Sequence, residues 1–133
     1  MANALYDSAR AGFLAGTLDW DADTIKAVLI DTGTYTFSAA HDFYNDLSGV
    51  VGSESSAFAS KTTTAGVADA ADITFTAVTG NTVEAIVIFK DTGNVATDAL
   101  IAYIDTGTGF PVTPNGGDIT VSWDSGANKI FKL

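Results

Sequence analysis

Apolar positions along the chain fall mainly into short runs of period two or of continuous burial. Thr24 to Ile30 (TIKAVLI), Val83 to Lys90 (VEAIVIFK) and Ala99 to Ile104 (ALIAYI) are apolar on both faces, as strands buried between two layers require. Asp72 to Val78 (DITFTAV) alternates, with Ile73, Phe75 and Ala77 on one face and Thr74 and Thr76 on the other. Ile119 to Trp123 (ITVSW) alternates too, and Lys129 to Leu133 (KIFKL) closes the chain. Ser48 to Ser60 reads as an exposed loop or weak edge strand, and Lys61 to Thr64 as a polar run able to enter a sheet.

Two segments depart from this pattern. Leu5, Ala9 and Phe13 recur at four-residue spacing, which predicts a short N-terminal helix within residues 1–16, stopped by Gly16. Its apolar stripe must dock on its own domain or on a neighbour. His41 to Leu47 predicts one helical turn. Between the strand candidates stand Asp-Thr-Gly, Thr79-Gly80-Asn81, Pro114-Asn115-Gly116-Gly117 and Asp124-Ser125-Gly126, all turn-forming chemistry. No helix separates consecutive strands, which disfavours a parallel α/β sheet. The expected fold is all-β: one domain, an antiparallel β-sandwich or partly closed barrel over residues 24–133 with the helix at its N-terminus.

Composition narrows the function classes. The chain has 133 residues, 47% of them apolar, enough for one core without staples. It has no cysteine, hence no disulfide and no thiolate metal site. Sixteen acids against six bases give a net charge of −10. Such a field repels phosphate backbones, so nucleic acid is an improbable partner, while a basic protein surface is attracted. Asp outnumbers Glu heavily, which places the acid in turns rather than on helices. Apolar runs of about five residues fall far short of the roughly 18 needed to span a bilayer. The N-terminus lacks a basic region followed by an apolar run, so no targeting segment and no membrane role are expected.

Three copies of one tripeptide carry the sharpest chemical question. Asp31-Thr32-Gly33, Asp91-Thr92-Gly93 and Asp105-Thr106-Gly107 each follow an apolar run. Asp-Thr-Gly is the catalytic loop of aspartic proteases, which need two carboxylates sharing a proton. It is equally a strand end turning into a loop, with Asp as the turn acceptor. Three loops in one short chain favour the turn, and no catalytic residues are assigned. Asp19, Asp21 and Asp23 alternate as a calcium loop begins, but Thr24 stands where Gly is expected and Ile30 where Glu is expected. These three are weak metal candidates beside a solvated-turn reading. His41 is the single histidine, and no Gly-x-Ser-x-Gly elbow or phosphate-binding Gly-rich loop is present, so no cofactor is expected. Trp20, Trp123, Phe75, Phe89, Tyr103 and Phe131 fall in or beside strands and read as core. Phe43, Tyr44 and Phe110 fall in loops, where they either contact a partner or cap their own sheet. With Leu5 and Phe13 of the helical stripe they form the set of candidate partner-binding residues.

The blocks LYDSARAGFLAG, DTIKAVLIDTGTYT, GVADAADITFTAVTGNTVEAIVIFKDTG and LIAYIDTGTGFPVTPNGGDITVSWDSGANKIFKL, in this order, resemble a family of small virion structural proteins of tailed bacteriophages and prophages. The likeness spans nearly the whole chain and is weakest over Ser38 to Lys61. It implies a non-enzymatic virion component, assembled in the host bacterial cytoplasm. The favoured role is a capsid decoration (cement) protein bound to the major capsid protein on the outer head surface. A tail- or fibre-associated subunit is the near alternative, and a carbohydrate-binding adhesion module belongs to another class. Self-association, for example as a trimer, is compatible with apolar rather than acidic contact faces.

Overall fold

A computed structural model of the chain describes residues 3–106 and 109–133. The three continuous apolar runs form its centre. β2 (Ile25–Ile30), β6 (Ala85–Lys90) and β7 (Leu100–Ile104) are neighbours in a five-stranded antiparallel sheet. Its edges are β1 (Ala4–Leu5) and β3 (Val50–Val51), in the order β1-β7-β6-β2-β3. Ile86, Val87, Ile88 and Phe89 have no solvent exposure, because the central strand is covered on both faces. The register sets Ile25 opposite Lys90 and Ile30 opposite Ala85, with Ile104 opposite Ile86. The sheet therefore has two distinct ends, one at residues 25, 90 and 100 and the other at residues 30, 85 and 104.

Two short ribbons complete the molecule. β4 (Val67–Ala68) pairs with β9 (Phe131–Lys132), and β5 (Ile73–Phe75) pairs with β8 (Ile119–Val121), both antiparallel. The fold is thus mainly antiparallel β, and its described strands do not close into a barrel. Beyond β3 the chain continues along β2, with Ser55 and Phe58 N–H groups donating to the Ala27 and Ile25 carbonyls at 2.8 Å each. Ser48 to Ser60 is accordingly an irregular edge rather than a free loop. Gly49 is required here: its φ is +65°, and a Cβ would stand 2.7 Å from the Asp31 carbonyl oxygen.

The N-terminal helix is shorter than its apolar spacing predicts. α1 spans Asp7–Ala15 and ends at Gly16 in the left-handed conformation, φ +79°. Leu5 lies in β1, where it pairs with Ala102, and is buried in the core. Tyr6 is extended and its N–H donates to the Ile101 carbonyl at 3.1 Å. Sheet pairing overrides helical periodicity there, and Met1 and Ala2 lie outside the described residues. Alternation also fails at Ala77, which adopts φ +49° and is exposed while Val78 enters the core. The helical turn expected within His41 to Leu47 is a 3₁₀ turn at Tyr44–Asp46.

Aromatic groups knit these layers. Trp20 packs edge-on against both Phe58 and Phe131, at 5.9 and 5.3 Å between centroids, and Trp123 reaches Phe58 at 5.4 Å. Tyr6, Tyr35, Phe37 and Tyr103 form a second group, with Phe37 5.1 Å from Tyr6 and 5.2 Å from Tyr103.

Candidate functional site

Two of the three Asp-Thr-Gly acids, Asp31 and Asp91, close backbone turns. Gly33 N–H donates to Asp31 Oδ1 at 2.9 Å, and Gly93 N–H donates to Asp91 Oδ1 at 3.0 Å. The same geometry recurs without the tripeptide, from Gly126 to Asp124 at 3.0 Å and from Gly117 to Asn115 at 2.9 Å. A carboxylate or amide two residues before a glycine closes an Asx turn at each site. Asp31 and Asp91 also end antiparallel neighbours, so they stand at opposite ends of the sheet and cannot share a proton within one chain. Gly107 of the third copy lies outside the described residues.

Each acid has further partners. Asp31 Oδ2 accepts from Asn81 Nδ2 at 2.9 Å and from Thr34 Oγ1 at 3.2 Å. These bonds, Asn81's first and the Gly33 N–H next, hold the Asp31 carboxyl below the ordinary carboxylate range. Asp91 is lowered as well, chiefly by Lys26, whose Nζ lies 2.8 Å from Asp91 Oδ2. In the Asp91 copy the threonine acts too, its N–H and Oγ1 donating to buried Asp98 at 2.6 and 2.7 Å.

The Asp19 segment is another turn. Asp19 Oδ1 accepts the Asp21 and Ala22 N–H groups at 3.1 Å each, and Asp23 Oδ2 accepts the Asp19 N–H at 2.9 Å. Asp23 also pairs with Lys90 at 3.2 Å. Among the described residues no group of three or more His, Asp or Glu side chains converges as a metal site. Nor is any described helix long and apolar enough to cross a membrane.

The candidate contact residues separate into three situations. Leu5 is core. Phe13 and Tyr44 are half-buried, Phe13 against Phe131 at 6.0 Å and Tyr44 edge-on to Phe89 at 5.0 Å. Phe43 and Phe110 are also half-buried, Phe43 bridging to Ala99. The most exposed large apolar groups among the described residues are others: Leu14 at 91%, Leu133 at 62% and Val95 at 51%. Leu14 was legible in principle, since it follows Arg10 by four residues and so lies on the polar side of α1.

Phe110 belongs to a cleft of about 450 Å³ at the Ile30–Ala85–Ile104 end of the sheet. Its walls include Tyr35, Phe37, Tyr103 and Phe110, and Glu84 and Asp105 stand among them. The sequence folds this way for local reasons. The Asp31 turn, with Thr34 and Tyr35 N–H groups donating to the Asp31 carbonyl, turns Tyr35 back toward the core. Glu84 N–H donates to the Ile30 carbonyl at 3.1 Å, extending the β2–β6 ladder by one residue. A Val83–Val112 bridge brings Phe110 beside β6. Beneath the cleft Tyr35 Oη shares hydrogen bonds with Tyr6 Oη at 3.0 Å and His41 Nδ1 at 2.8 Å. Burial raises the Tyr103 phenol, with Asp105, Tyr35 and Glu84 adding to the effect, so it stays neutral across the physiological range. Glu84 is half-buried, and its Oε2 is sealed from solvent without a hydrogen-bond partner among the described residues.

No family model matches the chain, and no curated protein shows significant similarity to it.

Proposed function

We propose that the protein is a non-enzymatic structural component of a phage virion, a decoration protein that binds the outer head surface and stiffens the shell. The observation that carries this reading is the engagement of its suggestive acids, Asp19, Asp31, Asp91 and Asp124, in backbone turns. The block order described above supplies the virion context. In this role the five-stranded sheet and its two ribbons act as an incomplete antiparallel β-sandwich. Bare Leu14, Val95 and Leu133 are natural contact points. Many copies, each burying a modest patch against the major capsid protein or against one another, would hold a shell by avidity.

A cryo-EM map of the source particle tests the proposal. Density for this chain on the outer head surface between capsomers is the expected result. Density confined to tail or fibre keeps a virion role and overturns the decoration one, and absence from the particle overturns both. Particles lacking the protein are expected to open at lower temperature and lower salt than complete ones. A second reading, a carbohydrate-binding module, draws on the aromatic walls of the Phe110 cleft and is tested by glycan-array binding.

A further inference from the structure

We infer that the cleft walled by Tyr35, Phe37, Tyr103 and Phe110 is a receptor for an arginine side chain presented by a partner protein, with Glu84 as its counter-ion. The inference rests on the structural-protein reading for the source of that side chain, and on the cleft alone for its chemistry.

Glu84 carries the argument. One of its carboxylate oxygens, Oε2, is closed to solvent and accepts from no described donor, which leaves its hydrogen bonding unmet within the fold. Elsewhere the fold supplies cations: Lys26 serves Glu54 and Asp91, Lys90 serves Asp23, and Arg10 serves Asp7. None of the described ion pairs reaches Glu84. Its charge is delocalised over both oxygens, so a cation at the cleft mouth compensates the sealed one as well.

The walls select the kind of cation. Phe37 and Tyr103 stand 5.2 Å apart with rings inclined at 46°, and Phe110 lines the same space. Ring faces attract a cation through their quadrupole. A guanidinium is planar and weakly hydrated, stacks on such faces, and offers paired donors to a carboxylate. The net charge of −10 adds a long-range field that draws a basic surface toward the cleft. A sugar could stack on the same rings, but it would leave the Glu84 charge uncompensated.

The test uses the full chain and three probes: the peptide acetyl-Gly-Arg-Gly-amide, its citrulline counterpart, which is neutral and isosteric, and a neutral oligosaccharide. Aromatic NMR signals of Phe37, Tyr103 and Phe110 are followed during titration. The arginine peptide is expected to shift these rings with millimolar affinity, and citrulline to bind at least about tenfold more weakly. Glu84→Gln is expected to weaken the arginine peptide by at least about tenfold while leaving citrulline unchanged. Phe110→Ala, which removes a wall and no charge, is expected to weaken it several-fold, and unchanged amide spectra show that both variants fold. Absence of ring shifts, or equal binding of arginine and citrulline, overturns the inference. So does an oligosaccharide that shifts the same rings regardless of Glu84→Gln, which would favour the glycan reading. The particle map separates the two proposals: a decoration protein whose Phe110 cleft faces solvent keeps its role and loses this inference. Charge-dependent arginine binding by a protein absent from the particle does the reverse.

Discussion

The two ends of the five-stranded sheet are built from the same turn and finished differently. At the end marked by Ile25 and Lys90, Asp91 closes its turn and is then clamped by Lys26, which also holds Glu54 at 2.8 Å. Lys90 pairs with Asp23, and Lys61 donates to the Asp23 carbonyl. At the end marked by Ile30 and Ala85, Asp31 closes its turn with a neutral amide, Asn81, and Glu84 meets no described cation. Half of the chain's six cations are committed to the first end. One local solution therefore serves two purposes: a charge-neutralised closure where the fold is finished, and an acidic, aromatic opening where it is available to something else.

The contrast is broken most severely at the closed end by Asp98→Ala. Asp98 is buried and accepts both the Thr92 N–H and the Thr92 Oγ1 proton. Its loss leaves the β6–β7 connection with unsatisfied donors, and urea unfolding is expected to show a loss of about 3 kcal/mol.

Lys26→Met is next, at about 1 kcal/mol, because a partly exposed three-member ion network is worth more than an isolated surface pair. It also changes the pH profile. Asp31, Asp46 and Asp91 all titrate below the ordinary Asp range in the folded protein, held by Asn81, by the Asp42 N–H and by Lys26 respectively. On acidification the unfolded chain takes up these protons first. Their contribution is complete above about pH 4, the ordinary Asp value, and drains away as pH falls through the folded values. Urea midpoints measured down to about pH 2 are expected to fall accordingly, and to fall less steeply in Lys26→Met, where Asp91 has lost its main support.

Glu84→Gln, at the open end, is expected to leave stability unchanged or to raise it by up to about 1 kcal/mol, since it removes a charge that no described cation balances. A loss as large as that of Lys26→Met would mean that Glu84 is structural and the two ends are equivalent. Smallest of all is calcium: thermal unfolding with excess calcium and with chelator is expected to coincide, because the Asp19 and Asp23 carboxylates already serve their own turn and Lys90.

The closed end was easier to read in the sequence than the open one. Continuous apolar runs gave β2, β6 and β7 nearly to the residue, and Asp before Thr-Gly gave the turns, because both signals are local. β1 and β4 escaped because two residues carry no periodicity and form only against partners far along the chain. Leu5 was misplaced for the same reason: its spacing to Ala9 and Phe13 is helical, and only the pairing with Ala102 makes it a strand residue. Phe110 was picked out as a loop aromatic, whereas Tyr35, Phe37 and Glu84 come from segments of their own and share nothing in sequence. A site assembled from the ends of three chain segments is visible only once the register is known.

Asn3 and Ala4 also determine when the sheet can close. Asn3 Oδ1 accepts the Asp105 N–H across a sequence separation of 102, and Ala4 is registered against Tyr103. The edge strand Ala4–Leu5 thus waits for a partner, β7, that is made far later in the chain. Closing so long a loop carries an entropic cost that local turns cannot offset early. The five-stranded sheet therefore completes only once β7 has been made. Until then β6 presents a bare edge, and a nascent copy is at its most vulnerable to pairing with the wrong neighbour.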